Sequence, residues 1–237
     1  MNCSLSLIIS AYNEAPIIED CINTCITALS SQFDDYELIL LDDASTDNTG
    51  PIIDKLASDN PNINIKIIHN QTNLNMGASI QKGMKEATKD YITFNAADLP
   101  FNPQNYKEII NQKPNADMIV VQRKKYNGTT PWRRFTSTLN RALLKILFPK
   151  LKKGIKDTNY FQITKKEALP KITPLTKDPI FTWPEMIFRA RLSGLTVETT
   201  TTDYNPKRPR KGSFGKPKDI FGSLKETLRF RLRLRMN

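Results

Sequence analysis

Two hydrophobic periods alternate along the first half of the chain. Short apolar runs are each followed by a longer stretch in which apolar residues recur every three or four positions, the sequence form of βαβ units around a mainly parallel sheet. Strands are predicted near Leu5 to Ser10, Glu37 to Leu41, Ile63 to Ile68, Tyr91 to Asn95 and Asp117 to Val121. Between them the spacing predicts helices at about Ala15 to Ser30, Asn48 to Ser58, Met76 to Thr88 and Asn102 to Gln112. The first helix gathers Ile17, Ile18, Cys21, Ile22, Cys25, Ile26 and Leu29 on one face, so Cys21 and Cys25 read as small buried apolar residues. No apolar run approaches the ~18 residues that a spanning helix needs. The nearest is Ala142 to Phe148.

In an open α/β sheet, ligands bind beyond the carboxyl ends of the strands. Acids are concentrated at those ends here. The first strand runs into Ala11-Tyr12-Asn13-Glu14, the second into Asp42-Asp43-Ala44-Ser45-Thr46-Asp47 and the fourth into Ala96-Ala97-Asp98. One acidic loop is ordinary, because Asp and Ser favour turns and helix caps. Three such loops on one edge point to a ligand. Asp47 reads equally as a cap or a ligand, and His69, the only histidine, as a surface or satisfied side chain at the end of the third strand.

Composition narrows the class. With 237 residues, 39% apolar and 25% charged, the chain suits one generous soluble domain, or a domain with an appendage, and excludes a disordered, collagen-like or integral membrane protein. Three cysteines without a Cys-x-x-Cys pair argue against a disulfide framework or zinc site. The start, Met1 to Ser10, lacks a basic segment and long apolar core, which predicts a cytoplasmic chain whose membrane contact is peripheral or made through a partner. The net charge of +11 would by itself suggest nucleic acid, but it divides into −9 over residues 1–120, +11 over 121–205 and +9 over 206–237. That asymmetry fits a half that handles a cation and a half that handles anions, with no nucleic-acid partner.

The strand ends carry a resemblance. Leu7-Ile-Ile-Ser-Ala-Tyr-Asn-Glu14, Leu40-Leu-Asp-Asp-Ala-Ser-Thr-Asp-Asn-Thr49 and Asn75-Met-Gly77 followed by Gly83 and Ala87 stand in the order and spacing of the family-2 glycosyltransferases of the GT-A fold. Within that family the chain resembles the dolichyl- or polyprenyl-phosphate sugar synthases, from Leu5 to about Gly215. The resemblance implies an α/β, Rossmann-like, mainly parallel sheet flanked by helices, with a basic amphipathic tail. It implies a transferase domain over 1–215, divided into a nucleotide-sugar half, 1–121, and an acceptor half, 122–215, with the tail at 216–237. It places Ala11, Tyr12, Glu14, Asp42, Asp43, Gly77, Ala97 and Asp98 around a nucleotide sugar, GDP-mannose or UDP-glucose. Where the family carries Asp-x-Asp, this chain reads Ala96-Ala97-Asp98, so the first carboxylate is missing. Mg²⁺ or Mn²⁺ would then rest on Asp98 with substrate phosphates, since Mg²⁺ commonly uses one or two carboxylates plus phosphates and water. A non-catalytic nucleotide-sugar-binding relative is the other reading of that loss.

The second half is similar to the same family's acceptor region. Arg123 follows the fifth strand, and Trp132-Arg133-Arg134-Phe-Thr-Ser137 is similar to a Trp followed by Arg-x-x-x-Ser. Arg133 and Ser137, at i and i+4, face one side of a helix and can reach one phosphate together. The resemblance gives Arg123, Arg133, Ser137 and either Arg208 or Arg210 to the acceptor phosphate, and counts Asp98, Arg123, Arg133 and Asp157 as catalytic. Lys156-Asp157-Thr158-Asn-Tyr-Phe-Gln162 looks like the family's Asp-x-Thr-Ser-Gly-Phe-Arg, one residue shorter and without the Gly and Arg. Trp183-Pro-Glu185-Met, followed by Gly194, resembles its acidic helix and the turn into the last strand. The implied reaction moves mannose or glucose, with inversion, onto a membrane polyprenyl or dolichyl phosphate. The rival is transfer to a glycan hydroxyl, for which Asp157 or Glu185 would be the base. Ile220, Phe221, Leu224, Leu228 and Leu232 fall at helical spacing among Lys225, Arg229, Arg231, Arg233 and Arg235, a basic amphipathic helix suited to the cytoplasmic membrane surface or an integral partner subunit. From Leu228 onward apolar residues also alternate with Arg in a strand-like period.

Overall fold

A computed structural model describes residues 3–124, 131–203 and 217–236. Five strands follow the apolar runs: β1 (Leu5–Ala11), β2 (Tyr36–Asp42), β3 (Asn64–His69), β4 (Tyr91–Ala96) and β5 (Met118–Arg123). Two more follow, β6 (Phe161–Lys165) and β7 (Val197–Thr202). They form one seven-stranded sheet in the order β3-β2-β1-β4-β6-β5-β7. Every neighbouring pair is parallel except those made by β6, which runs antiparallel to both β4 and β5. Its direction matters for function. The beginning of β6, and the residues before it, reach the same edge as the ends of β4 and β5.

The helices are α1 (Ile18–Ser30), α2 (Thr49–Asp59), α3 (Asn75–Glu86), α4 (Tyr106–Gln112), α5 (Pro131–Leu147), the single turn α6 (Leu169–Ile172), α7 (Thr182–Leu192) and α8 (Pro217–Met236). One core packs α1 and α2 on the sheet through Ile18, Ile22, Leu29 and Ile53, with Cys21 and Cys25 buried among them. A second core, on the other face, joins Ile80 and Met84 of α3 to Leu144 of α5, Ile187 and Phe188 of α7, and Phe230 of α8. Two predicted helices start late. Asn13 takes a left-handed φ of +55°, and Glu14 then closes a turn by accepting from the N–H groups of Ile17 and Ile18, so α1 begins at Ile18 rather than Ala15. Pro103 opens a short 3₁₀ turn that delays α4 to Tyr106.

The tail is helical to Met236, against the strand-like alternation of its last residues. Phe230 explains this: its ring packs on Phe148, Phe181 and Phe188, with Ser223 and Thr227 buried on the same side of α8. The predicted apolar stripe is thereby divided, because Phe221, Leu228 and Leu232 stay exposed while Ile220 and Leu224 are half-buried. On α5, likewise, Leu144 is buried and Leu139 exposed. Among the described residues no helix is long and apolar enough to cross a membrane.

Candidate functional site

The carboxyl ends of β1, β2 and β3 are woven together by side chains. Asn13 accepts from the N–H of Thr46 at 2.8 Å, and its own N–H donates to Ser45 at 3.0 Å. The N–H of Glu14 donates to Thr49 at 2.8 Å, and Glu14 is buried. Asp47 accepts from the N–H groups of Thr49, at the start of α2, and of Ala15. Burial opposes its charge, but a hydrogen bond from the Thr49 hydroxyl first, and then those from the two N–H groups, prevail and hold its carboxyl below the usual range. Asp47 is therefore fully used as a cap and loop tie.

Asp43 is buried and accepts from Asn70 Nδ2 at 2.7 Å and from the N–H of Leu74 at 2.9 Å, fixing the segment that leads into α3. Asp42 accepts from the N–H of Ser45 at 3.0 Å. Its other oxygen lies 3.1 Å from His69 Nδ1, while His69 Nε2 lies 3.0 Å from Asp54. Bonds to Asp54 first, and then Asp42, raise the pKa of this histidine. His69 is satisfied, as the sequence indicates. Ala11 is buried with its carbonyl accepting from the N–H of Asp43, whereas Tyr12 is exposed. Gly77 has a packing role: a Cβ there would stand 2.6 Å from the Lys177 carbonyl oxygen and 2.7 Å from Thr182 Oγ1.

The end of β4 is different. Asp98 sits in a turn closed by the N–H of Leu99 donating to the Ala96 carbonyl, with Leu99 at a φ of +46°. Neighbouring atoms pin this turn, because Asn95 Nδ2 donates to the Phe101 carbonyl and to Tyr106 Oη, both at 3.0 Å. Asp98 itself accepts only its own backbone N–H among the described residues, and burial raises its pKa. It borders an open cavity of about 700 Å³ between α1 and residues 97–104, with Ala97 buried beside it. A half-buried carboxylate with no paired cation among the described residues suits one protein ligand to a divalent ion whose other ligands are phosphate oxygens and water. Among the described residues no group of three or more His, Cys, Asp or Glu side chains could hold a metal unaided.

The antiparallel β6 brings the residues that the resemblance gives to the acceptor to the same edge. Arg123, at the end of β5, grips Asp157 through two bonds, Nε to Oδ2 at 2.6 Å and a terminal nitrogen to Oδ1 at 3.0 Å. Its guanidinium also lies 5.1 Å from the centre of the Tyr160 ring. Both oxygens of Asp157 are thus engaged. So are those of Glu185, which is buried in α7 and accepts from the N–H groups of Leu175 and Thr176 at 2.9 and 3.0 Å. Arg133 and Ser137 stand one turn apart on α5, Ser137 half-buried. The side chain of Arg133, and Arg208 and Arg210 entirely, lie outside the described residues.

Comparison with known proteins gives the family and the fold. Residues 6–173 match the model of glycosyl transferase family 2. Glycosyltransferase AglD of Haloferax volcanii is 24% identical over 239 residues, covering 95% of this chain and 36% of that protein. The undecaprenyl-phosphate 4-deoxy-4-formamido-L-arabinose transferase of Proteus mirabilis is 26% identical over 140 residues, covering 59% of this chain and 43% of that one. The match therefore spans less than half the length of each of these two curated relatives. Among solved structures, glucosyl-3-phosphoglycerate synthase of Mycobacterium tuberculosis, in complex with Mn²⁺ and UDP-glucose, superposes with a TM-score of 0.69 at 17% identity, covering 97% of this chain and 79% of that one. The sheet shares the GT-A fold of that enzyme.

Proposed function

Because this chain belongs to glycosyl transferase family 2, we propose that it is an inverting glycosyltransferase that moves a hexose, mannose or glucose, from a nucleoside diphosphate sugar to a membrane polyprenyl or dolichyl phosphate. The observation that carries the choice of acceptor is the engagement of both candidate bases. A sugar hydroxyl must lose a proton as it attacks, and needs a carboxylate free to take it. Asp157 is gripped by Arg123, and Glu185 holds two backbone N–H groups. A phosphate monoester needs no such base, since its second pKa is about 6. The similarity to a transferase named for undecaprenyl phosphate points the same way.

The reaction is then a displacement between two anions. A phosphate oxygen of the acceptor forms a bond to the anomeric carbon as the bond from that carbon to the diphosphate breaks, and the electron pair leaves with the diphosphate. Mg²⁺ or Mn²⁺, held by Asp98 together with the diphosphate, supplies neutralisation of the leaving group when bound. Ala11, Tyr12, Glu14, Asp42, Asp43, Gly77 and Ala97 shape the donor side. Arg123, Arg133, Ser137 and Arg208 or Arg210 hold the acceptor phosphate. Asp157 fixes the plane of the Arg123 guanidinium, and a preset guanidinium suits bidentate capture of phosphate.

Residues 1–121 serve the donor and 122–215 the acceptor, with 216–237 as a basic tail. Trp132, Phe135, Leu139 and Ile146 are exposed on α5, and Phe221, Leu228 and Leu232 on α8, where Lys218, Lys225, Arg229 and Arg233 are exposed among them. Such faces meet the cytoplasmic surface of an anionic membrane or an integral partner subunit, which is where the acceptor's isoprenoid lies. The test is transfer from GDP-mannose and UDP-glucose, with Mg²⁺ or Mn²⁺, to undecaprenyl phosphate and to glycan acceptors in parallel. Product on the lipid phosphate that falls at least tenfold in Arg133→Ala is expected. Undiminished lipid transfer by that variant, or transfer only to glycan hydroxyls, would overturn the acceptor assignment.

A further inference from the structure

Residue 160 joins the turn of Asp98 to Arg123. Thr93 of β4 pairs with Ile163 of β6, and continuing that antiparallel register by three places sets Tyr160 opposite Ala96. The tyrosine thus stands beside the turn that carries Asp98. Its hydroxyl donates to the Pro100 carbonyl at 2.7 Å, two residues beyond Asp98. Its ring meets the Arg123 guanidinium 5.1 Å from the ring centre, close enough for a cation–π contact, and Arg123 in turn grips Asp157. One side chain therefore touches both the turn of the only acid in Ala96-Ala97-Asp98 and the arginine at the end of β5.

We propose that Tyr160 is a positioning residue, whose hydroxyl sets the Asp98 turn and whose ring sets the Arg123–Asp157 fork, so that the metal ligand and the acceptor cation keep a fixed separation. The inference rests on the donor and acceptor roles given above to Asp98 and Arg123. The reason it matters in this chain is the missing first acid. With one carboxylate in the motif to hold a cation, an error in the placement of Asp98 has no neighbouring acid at residue 96 to offset it, and a misplacement of about 1 Å can cost a hundredfold in rate. Leu99, at a φ of +46°, makes the same turn costly to hold by local preference alone, and the bond from Tyr160 is a fixed point on its far side.

Tyr160→Phe removes one oxygen and keeps the ring. Binding of Mn²⁺ in the presence of UDP or GDP, read by the loss of the free-ion electron paramagnetic resonance signal, should weaken about fivefold, the worth of one net hydrogen bond. The KM for undecaprenyl phosphate should stay within twofold. Tyr160→Leu, which also removes the ring from Arg123, should raise that KM as well. A tyrosine that merely stabilises the fold would lower the melting temperature and leave Mn²⁺ binding by the folded protein unchanged. Wild-type protein that binds Mn²⁺ with nucleotide while Tyr160→Phe binds it equally well overturns this inference alone. Wild-type protein that binds no Mn²⁺ with either nucleotide overturns the inference and the proposed function together.

Discussion

At the end of β2, Asp43 accepts from Asn70 and the N–H of Leu74, and Asp42 accepts from Ser45 while bridged through His69 to Asp54; at the end of β4, Asp98 takes only its own backbone N–H among the described residues. These acids share one edge of one sheet and look alike as Asp residues following an apolar run. Their environments divide them. The acids of β2 are supplied with donors by the loops they organise, so their charge is satisfied before any ligand arrives. Asp98 is partly desolvated without that compensation among the described residues, which disfavours its charged form and suits the carboxylate to a cation. A fold has no need of such a group for its own stability, and unsatisfied charge of this kind gathers at functional sites. On the proposed function, the β2 end would build the walls of the donor site and the β4 end would meet what binds there.

The widest separation between the two regions should come from removing each carboxylate in turn. Asp98→Asn is expected to reduce transfer by about a thousandfold, on the order of 4 kcal/mol of transition-state stabilisation, while the melting temperature holds steady or rises because a desolvated charge has been removed. Sugar transfer and thermal melts measured on one preparation check both halves. A stability loss that matched the loss in activity would place Asp98 with the structural acids and break the contrast. Asp43→Ala is the reciprocal case, because it strands Asn70 Nδ2 and the N–H of Leu74 in a buried site. Losing hydrogen bonds to a buried charged acceptor costs about 3 kcal/mol, or roughly 6–12 °C for a chain of this size. Urea midpoints should record that loss with the slope unchanged. If Asp43→Ala instead kept its stability and lost only nucleotide affinity, Asp43 would be a ligand held ready like Asp98.

The sequence makes the elements legible and leaves their wiring hidden. β1 to β5 announce themselves as apolar runs, and the helix between β1 and β2 by its periodic Ile, Cys and Leu positions, because one buried face or strand suffices to produce the pattern. β6 does not, since its five residues place Gln162 and Thr164 between Phe161, Ile163 and Lys165, and β7, Val-Glu-Thr-Thr-Thr-Thr, has a single apolar residue. β6 is also the strand whose antiparallel direction brings Asp157 and Tyr160 to the site. Three acidic loops on one edge mark the edge to which the structure also brings Arg123, Asp157 and Tyr160. Which acids are spoken for depends on groups 27 and 31 residues away, Asn70 and the N–H of Leu74 for Asp43, and no local pattern encodes such partners. Phe230 is a similar case: it stands between arginines outside the predicted apolar stripe of the tail, yet it anchors α8 to the second core.

The smallest effect concerns the histidine in the β2 network, and its sign separates a structural role from a catalytic one. Asp54, and after it Asp42, raise the pKa of His69 above its unfolded value of about 6.5. The folded state therefore binds a proton more tightly than the unfolded chain. The stabilisation this gives is complete below about pH 6.5 and disappears as pH rises through the folded pKa. His69 is nearly half exposed and solvent screens the pair, so the contribution is modest, about 1–2 °C in melting temperature. His69→Gln should therefore melt below wild type near pH 5.5 and approach it by pH 9, with Mn²⁺ binding in the presence of nucleotide the same for both at each pH. A melting gap that widened toward alkaline pH would reverse the sign and show that the histidine is held neutral. A change in Mn²⁺ binding would show that the β2 network reaches the end of β4, and the two regions would then be one.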